Sequence, residues 1–416
     1  MNDYLLGFRC ASCGASYAPD QVTYTCPRDG GNLDAVYDYA RMARELDPWQ
    51  IVRRPDRSIW HYAELLPVCP DAHLPTPLST LGWSPLYRAP ALERALGLRA
   101  VWLKDDSRLP SASFKDRASA MVIAHAQALG IKTICVASTG NAAAALAALC
   151  AGSDLQAVIF VPEHTPEGKL VGMLIHGARV YLVHGSYNDA VALAEEACRV
   201  FGWYNRSTGF NPYTREGKKT AGFEIAEQLA QADRQRAVPF RAPDVVIVPV
   251  GDGNIISGVY KGFDELRMLG WVDRLPRFIG VTAALSPSLY RAWQRGDETF
   301  ETIPSRTIAG GIGTDRPCDG VMALRAVRNS GGVLIEASDE EMLDGVRVLA
   351  ESAGVFVELS CAAAYVGLVK ARQMGLIAPD EEVVLQLTGS GFKDLRAALR
   401  AAGQPIPIRS LADVHP

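Results

Sequence analysis

The sequence has no apolar run that approaches the roughly 20 residues needed to cross a bilayer as a helix. It also lacks a strong charge of either sign, because 42 Lys and Arg residues stand against 46 Asp and Glu, a formal net charge of −4. A slightly acidic chain is a poor nucleic-acid binder by electrostatics alone. We therefore expect a protein that neither spans a membrane nor binds nucleic acid.

Cysteine is scarce and scattered, with 9 residues in a chain of 416, and this excludes a disulfide-stapled scaffold. The N-terminal stretch MNDYLLGFRC has no basic segment followed by an apolar one, so no secretory signal is predicted. We therefore expect a cytoplasmic protein whose cysteines are reduced thiols. Hydrophobic residues at 48% and charged residues at 21% indicate a globular protein, and its length predicts two lobes or domains.

Short β-branched runs alternate with helical stretches from about residue 101 onward, which is the pattern of parallel βαβ units. Predicted strands occupy 132–137, 156–161, 179–183, 244–250, 277–282, 333–337 and 382–387. Ser338 with Glu341 predicts a capping box for a helix over 339–353. The Gly-, Asn- and Pro-rich stretch 205–212 is a candidate hinge. The patterns predict an α/β fold with an arm (1–45), a large lobe (46–130 and 206–416) and a small lobe (131–205).

One lysine lies at a chemically unusual place. Lys115 sits in the run Ser113-Phe114-Lys115-Asp116-Arg117, just before a predicted helix over 118–129. The positive end of the helix dipole disfavours a cation there and should lower the pKa of this lysine. A partly desolvated amine with a lowered pKa suits Schiff-base chemistry, although most lysines at such junctions are solvated surface residues.

Two polar turns follow predicted strands. Ser138-Thr139-Gly140-Asn141 is either a ligand site at the carboxyl end of a sheet or an ordinary helix cap. Gly251-Asp252-Gly253-Asn254-Ile255 is either a phosphate cradle or a plain strand-to-helix turn. It is not a Walker loop, and Ile256 occupies the place of the third glycine of a dinucleotide fingerprint. A cradle without a nucleotide signature suggests a small phosphorylated cofactor.

In this order the segments resemble the fold type II pyridoxal-phosphate enzymes, whose fold is that of the tryptophan synthase β chain, and within them the threonine synthase family. The resemblance runs from roughly residue 74 to 394. The segments that carry it are Pro110-Ser111-Ala112-Ser113-Phe114-Lys115-Asp116-Arg117, Ala137-Ser138-Thr139-Gly140-Asn141, Asn211-Pro212-Tyr213, Glu216-Gly217-Lys218-Lys219-Thr220, Pro249-Val250-Gly251-Asp252-Gly253-Asn254 and Leu387-Thr388-Gly389-Ser390-Gly391-Phe392-Lys393-Asp394.

The resemblance implies roles for individual residues. Lys115 would hold pyridoxal 5′-phosphate as a Schiff base and move protons. The other implied cofactor contacts are Phe114 beside the ring, Asn141 at the 3′-oxygen, Thr388 at the pyridine nitrogen, and Gly251, Asp252, Gly253, Asn254 and Ile255 around the phosphate. The implied substrate contacts are Ser111, Ser113, Ser138, Thr139 and Arg215, of which Ser138 and Thr139 would receive the carboxylate.

The chain departs from the family where a phosphorylated substrate would bind. Thr214 occupies the position of the family's arginine, with Arg215 one place later, and Ala112 stands where glycine is usual. The reaction that the resemblance implies converts O-phosphohomoserine and water to threonine and phosphate. The resemblance also implies a homodimer. The alternatives are an ammonia-lyase acting on threonine or serine, or a β-replacement synthase. A non-catalytic module is disfavoured because Lys115 and the glycine loop are both present.

The N-terminal arm contains Cys10, Cys13 and Cys26, followed by Asp29, and resembles a zinc ribbon whose fourth ligand is changed. Zinc accepts a carboxylate oxygen, but structural sites favour four cysteines, or three with a histidine. The pattern leaves two interpretations open. Either these four residues bind Zn²⁺, or the ribbon no longer holds a metal and only orders the N-terminus.

Overall fold

The structure, a computed structural model, describes residues 2–69, 77–233 and 237–409. Its strands in chain order are β1 (Leu5–Cys10), β2 (Ser16–Tyr17), β3 (Leu33–Tyr37), β4 (Leu86–Arg88), β5 (Ala100–Asp105), β6 (Thr133–Ala137), β7 (Gln156–Pro162), β8 (Arg179–Val183), β9 (Tyr204–Asn205), β10 (Val245–Pro249), β11 (Arg277–Ala283), β12 (Val333–Ala337) and β13 (Glu382–Leu387). Its α-helices are α1 (Tyr39–Glu45), α2 (Pro48–Val52), α3 (Pro90–Leu96), α4 (Lys115–Ala128), α5 (Asn141–Cys150), α6 (Glu167–Leu174), α7 (Tyr187–Phe201), α8 (Tyr213–Lys218), α9 (Thr220–Ala232), α10 (Asn254–Met268), α11 (Ser288–Arg295), α12 (Gly320–Asn329), α13 (Asp339–Ala353), α14 (Leu359–Gln373) and α15 (Leu395–Ala401).

Two sheets form the body of the protein. The larger has the strand order β12–β11–β10–β13–β5–β4, in which β4 runs antiparallel to β5 and the other neighbours are parallel. The smaller has the order β8–β7–β6–β9 and its neighbours are parallel. Every residue of β10 and β13 is buried, as expected for parallel strands covered on both faces.

Helices cover both faces of the larger sheet. Along β10, Val246 and Val248 join the core that contains residues of α10, whereas Val245 and Ile247 join the core that contains residues of α14. This alternation follows from the opposite directions of successive side chains in a strand. Helices α9 and α12 pack on α10, and α13 packs on α14. The loops at the carboxyl ends of β10 and β13 are therefore held between two packed layers.

The N-terminal arm is an antiparallel sheet of β2, β1 and β3, and ion pairs with buried residues of the body hold it in place. Asp34 on β3 forms ion pairs with Arg215 of α8 and Lys261 of α10. Tyr37 donates a 2.6 Å hydrogen bond to Glu216. Although burial alone would raise it, Arg215 and Lys261 hold the pKa of Asp34 below its usual value. The arm is thus held to the helices that lie beside the glycine loop.

The predicted strand alternation is confirmed, because β6, β7, β8 and β10 to β13 match the predicted strands within one residue at each end. The capping box is also present: Ser338 accepts from the backbone of Glu341 and Glu341 accepts from the backbone of Ser338. The helix predicted over 118–129 begins earlier, at Lys115. In the described ranges, no helix is long and apolar enough to cross a membrane.

Candidate active site

A cavity of about 1100 Å³ lies where β6, β10 and β13 end and their loops begin. Ligands of open parallel sheets bind at such carboxyl ends. Most of the residues that the sequence singled out meet here. The predicted residues that line the cavity are Phe114, Lys115, Ser138, Thr139, Asn141, Gly251, Asp252, Gly253, Asn254, Ile255 and Thr388.

Lys115 is the first residue of α4, and the start of this helix is tied to the end of β13. The backbone N–H of Phe114 donates to the carbonyl of Thr388 at 2.9 Å, and Ser113 bridges to Gly389. Burial lowers the pKa of Lys115, Asp252 partly opposes this, and the positive charge of Arg206 adds to it. The predicted direction is confirmed, with burial as the first cause. A lowered pKa leaves more of the nucleophilic neutral amine at neutral pH.

The glycine loop between β10 and α10 has no room for side chains at two positions. A Cβ added to Gly251 would lie 2.8 Å from the Cα of Ile312. Gly253 has a φ of +93°, and a Cβ there would lie 2.6 Å from the Cβ of Ala323 and 2.9 Å from the carbonyl oxygen of Asp319. Because the 15-residue helix α10 begins directly afterwards, at Asn254, its first backbone amides have no partner within the helix and are available to an anion.

Among the described residues, two buried polar atoms near this loop find no hydrogen-bond partner: Oδ1 of Asn254 and Nζ of Lys218. Burial lowers the pKa of Lys218 well below its usual value, and the charges of Lys115 and Arg206 lower it further. Buried polar groups are normally paired, so unpaired ones beside the glycine loop indicate a binding site for a polar ligand. Asn254 lines the cavity, whereas Lys218 is not among the lining residues. The glycine cradle, Oδ1 of Asn254 and the amine of Lys115 together fit a phosphorylated aldehyde such as pyridoxal phosphate.

Glu358 lines the same cavity as Lys115 and was missed by sequence reasoning. The amide of Asn141 donates to both of its carboxylate oxygens, at 3.0 and 3.1 Å. Burial raises the pKa of Glu358, with the hydrogen bond from Asn141 acting against it. The sequence feature that could have indicated Glu358 is its position directly before the apolar helix α14, where it is the N-cap residue.

Ser138 and Thr139 lie between β6 and α5 and line the cavity beside the start of that helix. The hydroxyl oxygen of Ser138 accepts from the backbone N–H of Gly140 at 3.2 Å. The ten-residue helix α5 begins at Asn141 without a side-chain cap on its backbone amides. Hydroxyls and free amides at a helix N-terminus together favour a carboxylate.

Three predicted substrate residues are not among those that line the cavity. The backbone and hydroxyl of Ser111 donate to Asp116, and Ser113 is fully buried. Arg215 is paired with Asp34 of the arm. The placement of Ser111, Ser113 and Arg215 therefore does not support direct contact with a substrate. For Arg215 the physical reason is that a carboxylate of the arm already satisfies its charge.

The arm also reaches the cavity, through Thr25, Gly30 and Asn32, which no motif had indicated. Asn32 donates a 2.5 Å hydrogen bond to the carbonyl of Gly209 in the predicted hinge. The ligand atoms of Cys10, Cys13, Cys26 and Asp29 lie within 4.8 Å of one another. Asn32, three residues after Asp29, thus joins the arm to the segment that forms one wall of the cavity.

Comparison with known proteins gives consistent results. The profile described as "Pyridoxal-phosphate dependent enzyme" matches residues 78–389. The chain is 36% identical over 408 residues to the threonine synthase of Methanosarcina acetivorans, covering 97% of this chain and 96% of that protein. It is 35% identical to the threonine synthase of Methanocaldococcus jannaschii, covering 96% of each. A diaminopropionate ammonia lyase structure from Escherichia coli shares the fold, with a TM-score of 0.63 at 20% identity over 76% of this chain and 86% of that one.

Proposed function

The chain belongs to the threonine synthase family of pyridoxal-phosphate-dependent enzymes, and from this premise we propose that it converts O-phosphohomoserine and water to threonine and phosphate. The observation that carries the proposal is the meeting of Lys115 and the glycine loop in one cavity, in a chain similar to these relatives over nearly its whole length. The substrate and the residue roles below are parts of the same proposal.

Lys115 would hold the cofactor through its Nζ, and the backbone amides at Gly253 and Asn254 would bind its phosphate. When bound, pyridoxal phosphate supplies an electron sink for the electrons released as protons leave the carbon atoms of the amino acid. Lys115, with its pKa lowered by burial, would accept and return those protons at Nζ. A lysine that titrates closer to neutral pH serves both directions of transfer.

The remaining lining residues would orient the reactants. Ser138 and Thr139 would bind the substrate carboxylate with the amides of α5 behind them. Asn141 would contact the 3′-oxygen of the cofactor, and Phe114 would pack beside its ring. Thr388 would face the pyridine nitrogen, and a neutral hydroxyl there holds that nitrogen protonated less strongly than a carboxylate would. In such a site the cofactor would take up electrons less strongly than beside a carboxylate.

A turnover screen of the holoenzyme tests this function. O-Phosphohomoserine, threonine, serine and O-phosphoserine are offered separately, and phosphate, threonine, ammonia and keto acid are measured. We expect phosphate and threonine in equal amounts from O-phosphohomoserine. Keto acid and ammonia from threonine or serine, without phosphate release from O-phosphohomoserine, would instead identify an ammonia-lyase. A Lys115→Ala protein that kept full turnover would contradict the catalytic assignment.

We also propose that Cys10, Cys13, Cys26 and Asp29 bind a zinc ion. With Zn–S of roughly 2.3 Å and Zn–O of roughly 2.1 Å, a tetrahedral site separates two sulfurs by about 3.8 Å and a sulfur from an oxygen by about 3.6 Å. The Sγ atoms of Cys13 and Cys26 are 3.7 Å apart, and Sγ of Cys10 lies 3.3 and 3.7 Å from the two oxygens of Asp29. These separations support a four-ligand site.

Burial raises the pKa of the Cys10 thiol to about 11, and backbone groups around the cluster partly offset this. The N–H groups of Ser12 and Cys13 donate to Sγ of Cys10 at 3.3 and 3.4 Å. Zinc content of protein purified without chelators tests the proposal, and about one ion per chain is expected. Cys26→Ser should lose the metal, whereas Cys69→Ser, outside the cluster, should keep it. Native protein that retains no zinc and takes up none when reduced would contradict the site.

For the assembly and the compartment, we propose a homodimer in the cytoplasm. The dimer is what the family resemblance implies, and the cytoplasm is consistent with nine free cysteines, of which Cys13, Cys69 and Cys318 are exposed. Light scattering coupled to gel filtration measures the mass directly. A monomer of 44.9 kDa across the working concentration range would contradict the dimer.

A further inference from the structure

Arg206 is a fully buried arginine that lines the active-site cavity, directly after β9. Its Nε donates to the hydroxyl of Ser119 at 3.1 Å, and Nη1 donates to the hydroxyl of Thr208 at 2.8 Å. Nη2 makes a long contact of 3.5 Å with the backbone carbonyl of Lys115. All three acceptors are neutral, and a guanidinium has five N–H groups to satisfy.

Other buried arginines have a carboxylate. Arg117 forms ion pairs with two buried carboxylates, and Arg215 forms one with Asp34. For Arg206, the described part of the chain offers no carboxylate within the 4.0 Å of an ion pair. A buried charge without a counter-ion is strongly unfavourable. A buried arginine without a carboxylate therefore indicates a place where a ligand supplies the negative charge.

The surroundings of Arg206 add positive charge. Burial, opposed by Asp252, lowers the pKa of Lys115, and Arg206 lowers it further. Burial likewise lowers the pKa of Lys218, with the charges of Lys115 and Arg206 acting in the same direction. The pKa of Arg206 itself falls to about 10 through burial, which Asp116 only partly offsets. The charge of Arg206 therefore acts on both amines, and with a pKa of about 10 the guanidinium itself stays charged at neutral pH.

The other anionic groups of the proposed reaction already have sites elsewhere. The cofactor phosphate would lie at the start of α10, and the substrate carboxylate at the start of α5. The family position for the arginine that meets the substrate phosphate holds Thr214, which is buried and donates to the carbonyl of Asn211 at 2.7 Å. That position has no cationic side chain, whereas Arg206 lies eight residues earlier in the chain and belongs to the cavity lining.

We propose that Arg206 binds the phosphate group of the substrate and so selects phosphorylated amino acids, an inference that rests on the proposed function. A guanidinium offers two parallel N–H groups to a phosphate, and charge-assisted bonds of this kind are among the strongest in proteins. The hydroxyl of Thr208 lies beside it at 2.8 Å and can donate as well. The arginine takes over a role that the family places at the position of Thr214.

Binding to the holoenzyme tests the proposal directly. The probes are the phosphonate isostere of O-phosphohomoserine, in which a methylene replaces the ester oxygen, and L-norvaline, which has the same carbon chain without phosphonate. Dissociation constants come from the change in visible absorbance. Arg206→Gln should weaken phosphonate binding at least about tenfold, since one charge-assisted bond contributes about 1.5–3 kcal/mol. Its affinity for norvaline should stay within about twofold of the wild type.

Matched variants separate a binding role from a structural one. Arg179→Gln removes an equal charge from an exposed position on β8 and should leave both affinities unchanged. Arg206→Lys keeps the charge without the planar fork, so its loss should be smaller than that of Arg206→Gln. It also replaces Arg206→Gln if that protein does not fold. Equal phosphonate affinity in the wild type and in both Arg206 variants would overturn the proposal.

Thermal unfolding gives an independent readout. Because the unpaired guanidinium is unfavourable without an anion, Arg206→Gln should unfold at the same temperature as the wild type or higher. Inorganic phosphate should raise the unfolding temperature of the wild type and have a smaller effect on the variant. A variant that is less stable and equally sensitive to phosphate would contradict the assignment, because that is the behaviour of a structural arginine.

Failure of the proposed function and failure of the Arg206 proposal would give different results. If the wild type releases no phosphate from O-phosphohomoserine, the proposed function fails, while phosphonate binding that depends on Arg206 still supports the phosphate subsite. If the wild type turns over O-phosphohomoserine and Arg206→Gln leaves its KM unchanged, the function stands and the role of Arg206 is overturned.

Discussion

Replacing Gly253 by alanine tests the phosphate cradle most sharply. The residue has a φ of +93°, and the new Cβ would lie 2.6 Å from the Cβ of Ala323 and 2.9 Å from the carbonyl oxygen of Asp319. A left-handed conformation costs an L-residue about 1–2 kcal/mol. Forcing a carbon into a packed site costs about 1–3 kcal/mol more. We expect Gly253→Ala to lower the free energy of unfolding of the apoprotein by about 2–5 kcal/mol.

The same substitution should weaken the cofactor site. Relief of the contacts moves the loop, and the amides at the start of α10 then lose their alignment on the phosphate. Loss of one charge-assisted hydrogen bond of about 1.5–3 kcal/mol predicts at least about tenfold weaker cofactor binding. Urea unfolding of the apoprotein and titration of the visible absorbance with pyridoxal phosphate measure the two effects separately.

Gly270, just beyond the other end of α10, provides the matched control. It has a φ of +72°, and nothing lies within 4 Å of an added Cβ. Gly270→Ala should therefore destabilise by only about 1–2 kcal/mol and leave the cofactor affinity unchanged. The reasoning is refuted if Gly253→Ala binds the cofactor as tightly as the wild type, or if the two variants lose the same affinity.

Three further outcomes are expected. Ala112 has a φ of 58°, so Ala112→Gly should raise the free energy of unfolding in urea by up to about 1 kcal/mol; a destabilised variant would show that no strain is stored there. Glu224 forms buried ion pairs with Lys104 and Arg117, so Glu224→Gln should destabilise by about 3–5 kcal/mol, and a change under 1 kcal/mol would count against the network. Although burial opposes it, Arg117 and Lys104 lower the pKa of Glu224 to about 2. The contribution of Glu224 to stability is therefore complete above its unfolded pKa of about 4.3 and is lost as the pH falls from there towards about 2. Urea unfolding across this range should show that the stability of the variant depends less steeply on pH than that of the wild type. Asn141→Ala and Thr388→Val should change the visible spectrum and reduce turnover with an unchanged circular dichroism spectrum, and unchanged turnover in both would contradict their placement at the cofactor.

The strand alternation and the capping box were predictable because their causes are local. A buried parallel strand is a short apolar run, and Ser338 and Glu341 need only their own helix turn to form the box. The cavity was predictable in outline for a related reason, since turns that follow parallel strands meet at one edge of a sheet. The start of α4 at Lys115 was misjudged because Phe114, its N-cap residue, makes no side-chain capping bond that a sequence could signal.

The charges of the site were not predictable in this way. The sequence indicated Arg215 as a substrate ligand and gave no signal for Arg206. Only the tertiary structure pairs Arg215 with Asp34 and leaves Arg206 with no carboxylate of the described residues within 4.0 Å. Glu358 is similar, since its contact with Asn141 joins residues that are distant in the chain. Which charges are satisfied depends on packing between elements, and a pattern of neighbouring residues does not contain that information.

The most direct test of the proposed activity follows the oxygen atoms. The holoenzyme is given O-phosphohomoserine in water labelled with heavy oxygen, and both products are analysed by mass spectrometry. Elimination breaks the bond between carbon and the ester oxygen, and water then adds at the β-carbon, so threonine should carry the label and phosphate should not. Labelled phosphate together with homoserine would reveal hydrolysis at phosphorus and contradict the account, as would a complete absence of phosphate release.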